Sequence, residues 1–208
     1  MLNDIVFFLE IIGTVAFAAS GAMIAVHRRM DIFGVAMLGL FTAVGGGVIR
    51  DMLLGNTPPL SFRRPVYAMT AIAVSVIMFL KPVRARYNRH SHAFDAALLI
   101  MDSVGLGVFT AVGVRVALAA DSNLYTAVFV GVVTGVGGGI LRDVMAGQTP
   151  FVFVKHFYAS ASLIGALLCA LLWPWAGEVA AMLGGAAAVI ALRLLAARYR
   201  WSLPRAEE

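Results

Sequence analysis

Apolar residues fall along this chain in seven long runs, at about 4–26, 31–54, 65–81, 94–119, 124–146, 156–176 and 178–198. Six reach the ~20 residues that a helix needs to cross the hydrocarbon core of a bilayer, and the third comes close. The breaks between them are short and polar or turn-rich: HRRMD at 27–31, NTPPLSFRRP at 56–65, KPVRARYNRHSH at 81–92, ADSN at 120–123, GQTPFVFVKH at 147–156 and WPWAGE at 173–178. No extended polar domain intervenes. The pattern predicts an all-α integral membrane protein with seven transmembrane helices in a single membrane domain, 1–208.

One stretch occurs twice. Residues 42–58 read TAVGGGVIRDMLLGNTP and residues 134–150 read TGVGGGILRDVMAGQTP, aligned without a gap at a constant offset of 92. The same offset carries Glu10 onto Asp102, Gly13 onto Gly105, Phe17 onto Phe109, Gly21 onto Gly113 and Gly39 onto Gly131. Two copies of one unit of roughly 90 residues are therefore expected. Spans 1–3 occupy 4–90 and spans 4–6 occupy 94–176, followed by a seventh span at 178–198 and a tail at 199–208. Three spans is an odd number, so the second copy must enter the membrane from the opposite side. The expectation is an inverted-topology 3+3 repeat plus a seventh helix, a plan that places the functional path at the repeat interface.

Composition agrees with the runs: 61% of residues are hydrophobic and 13% charged, with a mean hydropathy of +0.90, outside the soluble range. The formal charge of +5 resides mostly between spans, where it sets topology rather than tracking a nucleic acid. Arg28, Arg29, Lys81, Arg84, Arg86, Arg89, Lys155, Arg198, Arg200 and Arg205 share one side, and Asp4, Asp121 and Glu178 the other, with Arg63 and Arg64 as exceptions. The N-terminus is expected outside and the tail cytoplasmic, in a multi-pass inner-membrane protein. MLNDIVFFLE lacks a basic leader and reads as a retained first span. Cys169 is the sole cysteine, so no intrachain disulfide is available.

Candidate chemistry concentrates in the repeat. Gly45, Gly46 and Gly47, like Gly137, Gly138 and Gly139, stand mid-way along spans two and five. Three adjacent glycines weaken a helix. One reading is a kink whose carbonyls face an aqueous path; the other is close helix packing through Gly39-Ala43-Gly47 and Gly131-Gly135-Gly139. Arg50-Asp51 and Arg142-Asp143 follow each triplet. Buried charges in lipid are costly and pair. Since neighbours i and i+1 point apart on a helix, partners are expected on other spans, one symmetric arrangement joining Arg50 to Asp143 and Arg142 to Asp51. The alternative is a pair of structural clamps near the membrane surfaces. Glu10 and Asp102 are accessory ionisable positions, Asp95 and Arg115 lie nearer the ends of span four, and Ser20, Thr42, Ser103, Thr110 and Thr134 either line a path or bond the preceding turn. Trp173, Trp175 and Trp201 suit interfacial anchors. His90 and His92 lack the companions of a metal site. GGGVIRD follows no strand, which excludes a dinucleotide site. No nucleophile–base pair, enzyme activity, cofactor or metal is expected.

GGGVIRD at 45–51, GGGILRD at 137–143, the 3+3+1 plan and the outside N-terminus together resemble the TRIC (trimeric intracellular cation) channels, in particular their bacterial and archaeal members. That resemblance spans nearly the whole chain. It implies a homotrimer in membrane lipid with one pore per protomer, permeable to monovalent cations, chiefly K⁺ and also Na⁺. It also implies a pore lined by the second and fifth helices at their glycine triplets. The short tail departs from the animal members, so their reticulum role does not carry over. Related bacterial sequences have been labelled glycine transporters, and a carrier for a small neutral amino acid is the second reading, since inverted repeats also suit alternating access.

Overall fold

The computed structural model describes residues 2–86, 92–154 and 157–201. Within them the chain is all-helical: α1 (Leu2–His27), α2 (Ile32–Leu53), α3 (Leu60–Arg63), α4 (Val66–Phe79), α5 (Lys81–Arg86), α6 (His92–Ala119), α7 (Leu124–Met145), α8 (Phe151–Val154), α9 (Ala159–Ala176) and α10 (Glu178–Tyr199). Six of these, α1, α2, α6, α7, α9 and α10, are long and apolar enough to cross a membrane. The run at 65–81 forms instead the 14-residue α4, about 21 Å of helix, which is short of the ~30 Å hydrocarbon core. Leu80 interrupts it before α5 continues the chain. Arg89, His90, Lys155, Arg205 and the side chains of Arg84 and Arg86 lie outside the described residues, as does the tail after Trp201.

The duplicated stretch builds duplicated helix ends. At the start of α2, Asp31 accepts a hydrogen bond from the Gly34 amide at 2.7 Å; at the start of α7, Asn123, 92 residues on, accepts one from Thr126 at 2.9 Å. Each satisfies an amide that the first helical turn leaves without a partner. At the other end, Leu54 N–H donates to Arg50 C=O and Ala146 N–H to Arg142 C=O. Gly55 and Gly147 then take positive φ, 72° and 66°, a conformation that side chains disfavour. Asn56 N–H and Gln148 N–H return to Asp51 C=O and Asp143 C=O. Both segments are thus turned back at once, toward the Arg-Asp pairs.

The interior is formed chiefly by α6 and α1, whose faces are the most covered, while α2, α9 and α10 each leave a broad side outward. α4 packs on α1 and α2; α9 packs on α6 and α7; α10 lies against α6 and α9. Small residues set these distances. A Cβ at Gly39 would overlap Ser75 Oγ, and one at Gly135 would overlap Thr110 Oγ1, so the four-spaced small residues act as packing faces. Phe17 fills the centre, against Gly105 and the Phe109 ring at 5.4 Å between centroids. Outward-facing Phe8, Ile12, Phe129, Leu163, Leu167 and Leu171 form surface suited to lipid rather than water.

Candidate functional site

The two glycine triplets meet each other. A Cβ at Gly46 would lie under 3.0 Å from the carbonyl oxygen of Thr134, and one at Gly138 equally close to the carbonyl oxygen of Thr42. The pairing of 46 with 134 and 138 with 42 means that α2 and α7 pass in opposite senses where they cross. Only hydrogen at both positions permits backbones this close. Phe17 also borders Gly138, with ring carbons 3.1 Å from a Cβ built there. The helices run without interruption through both triplets, and the glycines pack closely against the opposing helix. The hydroxyls of Thr42 and Thr134 bond their own preceding turns, to Leu38 C=O at 2.5 Å and Val130 C=O at 2.6 Å. Their backbone carbonyls, not their hydroxyls, face the crossing.

Beyond the crossing, at the end of α2, Arg50 and Asp51 are both buried. The exchange of partners between copies does not occur: Arg50 Nε donates to its own neighbour, Asp51 Oδ1, at 2.8 Å, and Nη2 approaches the same oxygen at 2.8 Å. The rule that adjacent residues diverge describes Cβ directions. The four-bond arm of arginine is long enough to curl back around the helix, and Asp51 sits in the last turn. Asp51 Oδ2 accepts the Leu60 amide at 2.8 Å. Nearby Glu10 accepts the Tyr67 hydroxyl. Glu10, Thr14, Gly47, Arg50 and Tyr67 line a cavity of about 40 Å³, room for a few waters at ~10–15 Å³ each.

The second copy repeats the motif and adds to it. Arg142, wholly buried, donates from Nε to Asp143 Oδ1 at 2.8 Å, and from Nη1 to Asp102 and Ser20. Its guanidinium stacks over Phe151 at 4.8 Å. Asp143 Oδ2 accepts the Phe151 amide at 2.7 Å and Oδ1 the Gln148 side chain at 3.1 Å. Asp51 and Asp143 therefore each hold an arginine with one oxygen and the returning loop with the other. Asp102 also faces Arg193 of α10, Nη2 to Oδ2 at 3.8 Å, and Arg193 lies over the Tyr158 ring at 4.7 Å. A cavity of about 260 Å³ opens here, lined by Asp95, Leu98, Asp102, Phe151, Arg193 and Arg200 among others.

Glu10 and Asp102 thus join the charged pairs that the repeat had marked, and Ser20 bonds Arg142. Thr110 shares a hydrogen bond with Ser162 at 2.7 Å, while Arg115 pairs with Glu178 at 2.5 Å and ties α6 to α10. Tyr67, Tyr158 and Arg193 were not foreseen. Arg193 was findable, as an ionised residue inside an apolar run, by the reasoning that selected Arg50. The tyrosines carried no signal, because tyrosine is ordinary in a membrane helix. Tyr67→Phe would remove the donor to Glu10 and is expected to cost about 1–3 kcal/mol, read as a lower thermal-melt midpoint of the protein in detergent. An unchanged midpoint would show that cavity water replaces the hydroxyl.

Comparison with known proteins matches residues 7–82 and 99–174 separately to the family model described as glycine transporter. The second block begins and ends 92 residues after the first. Among curated relatives, the UPF0126 inner membrane protein YadS of Escherichia coli strain K12 is 39% identical over 203 residues, covering 96% of this chain and 95% of that protein. A solved structure from work on the structural basis for conductance through TRIC cation channels is 36% identical, with a TM-score of 0.85 over 97% of each chain. The TRIC orthologue of Rhodobacter sphaeroides is 32% identical, with a TM-score of 0.85 over 94% of this chain and 98% of that one.

Proposed function

Because this chain belongs to the TRIC family, we propose that it is a monovalent cation channel, permeable chiefly to K⁺ and also to Na⁺, with one pore in each protomer of a homotrimer. The observation that carries this reading is the reciprocal crossing of α2 and α7 at Gly46 and Gly138, with a carboxylate-bearing cavity beside Gly47 and a second one at Asp102, between α6, α8 and α10. In lipid, backbone carbonyls brought to such a crossing offer oxygen ligands in place of an ion's hydration shell. The pore-lining positions are Gly45–Gly47, Gly137–Gly139 and the backbone of Thr42 and Thr134. In the conformation described the two helices touch at the glycines and Phe17 packs against Gly138, and in this reading conduction involves movement of α2 against α7. Arg50-Asp51 and Arg142-Asp143 hold the far ends of the two helices to their loops, which lets the middle move without loosening the ends. Glu10 and Asp102 place a carboxylate beside each approach.

The architecture that goes with this function is one membrane domain over 1–208, with α1, α2 and α4 (4–90) and α6, α7 and α9 (94–176) as inverted copies and α10 (178–198) outside the symmetry. The short α4 counts as the third span in this plan. Support comes from the opposite senses of α2 and α7, the matched helix caps and the two family-model blocks. The N-terminus is placed outside and 199–208 in the cytoplasm of a bacterial inner membrane. Lipid covers the outward apolar faces.

The family description as a glycine transporter favours a second reading, a carrier for a small neutral amino acid, since inverted repeats meeting at a close helix crossing also suit alternating access. Flux separates the two. Purified protein in liposomes is expected to pass K⁺ down its gradient with unitary current steps and to leave Cl⁻ behind. Saturable uptake of labelled glycine without unitary currents would overturn the channel.

A further inference from the structure

The two approaches to the crossing are not electrically equivalent, and the seventh helix makes the difference. On the Glu10 side the buried charges are one arginine, Arg50, against two carboxylates, Glu10 and Asp51. On the Asp102 side they are two arginines, Arg142 and Arg193, against Asp102 and Asp143. Counting these buried side chains alone, the first side has one more carboxylate than arginine and the second is balanced; the exposed Arg64 also stands beside Tyr67 on the first side. Glu10 is held by Tyr67, whose cationic neighbour Arg64 is exposed, whereas Asp102 faces a second arginine that is buried.

The geometry of that cation is specific. Arg142 already engages Asp102 through Oδ1, while Oδ2 is buried and accepts no hydrogen bond. Arg193 stands 3.8 Å from Oδ2, an electrostatic approach rather than a formed hydrogen bond. It also lies over the face of the Tyr158 ring at 4.7 Å, a cation–π contact. The guanidinium borders a cavity of about 260 Å³, larger than needed for a single water and wide enough for the side chain to shift within it. A carboxylate oxygen without a hydrogen bond, beside open volume in a low-dielectric setting, is a strong seat for a positive charge.

We propose that Arg193 is a tethered cation that occupies the Asp102 seat and thereby lowers access of permeating cations to the α2–α7 crossing from that side. Displacement of Arg193 from Asp102 leaves a seat for a monovalent cation at Asp102 Oδ2. The competition part of this proposal rests on the channel reading; the existence of the seat does not. Arg193 sets ion access through Asp102 and is a positioning residue rather than a ligand of the ion.

The test uses full-length Arg193→Gln and Arg193→Lys beside the unaltered protein, in planar bilayers and in crystals soaked with Rb⁺. Arg193→Gln is expected to raise unitary K⁺ conductance about 2- to 5-fold at ~20 mM KCl, with the gain vanishing near ~1 M, where salt screens a single vestibule charge. Arg193→Lys keeps the charge and should conduct as the unaltered protein does. A merely structural role for Arg193 would produce no salt-dependent gain. In the crystals, anomalous density for Rb⁺ beside Asp102 Oδ2 is expected in Arg193→Gln and absent from the unaltered protein. If the unaltered protein carries no cation current but accumulates glycine, the channel reading falls and the Rb⁺ comparison alone decides the seat. Density in neither protein, or in both alike, overturns the proposal. Arg142 still pairs with Asp102 in the variant, which favours folding; Arg193→Met serves the same purpose should the glutamine form aggregate.

Discussion

Replacing Gly46 or Gly138 by Leu is expected to cut K⁺ flux at least about tenfold, while Gly47→Ala, one residue from Gly46, leaves folding intact and lowers flux far less. The contrast follows from what each added carbon would meet. At Gly46 and Gly138 the obstacle is a backbone carbonyl on the opposing helix, under 3.0 Å from the new Cβ. A backbone atom cannot rotate aside, so the whole crossing must open or shift, and overpacking of this kind costs typically about 1–3 kcal/mol. At Gly47 the nearest atom is the mobile Nη2 of Arg50 at 3.8 Å, ordinary contact beside a cavity. Alanine there gains up to ~1 kcal/mol of helix propensity over glycine, with no clash to offset it. Flux from K⁺-loaded liposomes, read with thermal melts of the same preparations, checks both statements. Equal behaviour of Gly46→Leu and Gly47→Ala would remove the crossing from the permeation path.

Arg142→Ala is the second large effect. Removing a wholly buried guanidinium takes the arginine from two carboxylates at once, leaving Asp143 with the Phe151 amide and Gln148, and Asp102 with Arg193 at 3.8 Å. Breaking one side of a buried ion pair costs about 3–5 kcal/mol, because the remaining charge stays uncompensated. The expected result is loss of monodisperse protein on size exclusion, or a thermal midpoint far below that of Arg50→Ala. Arg50→Ala is milder because one carboxylate rather than two loses its arginine. Asp51 keeps the Leu60 amide, Glu10 keeps Tyr67, and the adjoining cavity admits water to what remains. Arg142→Ala combined with Asp102→Asn should recover part of the loss, since it deletes one of the stranded charges. If Arg142→Ala melts with the unaltered protein, the cluster is not what holds α7 to α6.

Arg142 also explains why the charged pairs were only half legible. The cost of an ionised side chain in lipid was enough to mark Arg50, Asp51, Arg142 and Asp143 as buried and partnered. Choosing the partners from helix geometry failed, because arginine reaches its i+1 neighbour with a flexible arm that a Cβ-direction rule ignores. The glycine triplets show the same limit differently. Their composition announced a kink, a close approach or both, and only the position of the other helix supplied the close approach. Arg193 carried the same mark as Arg50, but it lies outside the duplicated stretch and so lacked the second copy that drew attention to the others.

What the amino-acid order determined by itself was everything governed by local periodicity and duplication. It gave the apolar runs, which became α1, α2, α6, α7, α9 and α10 to within a few residues. It gave the offset of 92, which reappeared in the Asp31 and Asn123 caps and in the positive-φ glycines 55 and 147. These depend on residues within a turn or two of one another, so the chain states them directly. The tertiary structure alone decided which backbone lies over Gly46 and Gly138, which oxygen of Asp102 remains without a hydrogen bond, and that α10 delivers a second cation to one copy and none to the other. Each of those outcomes depends on atoms remote in sequence brought within a few ångströms, where the reach of a side chain and the presence of one methyl group decide the contact.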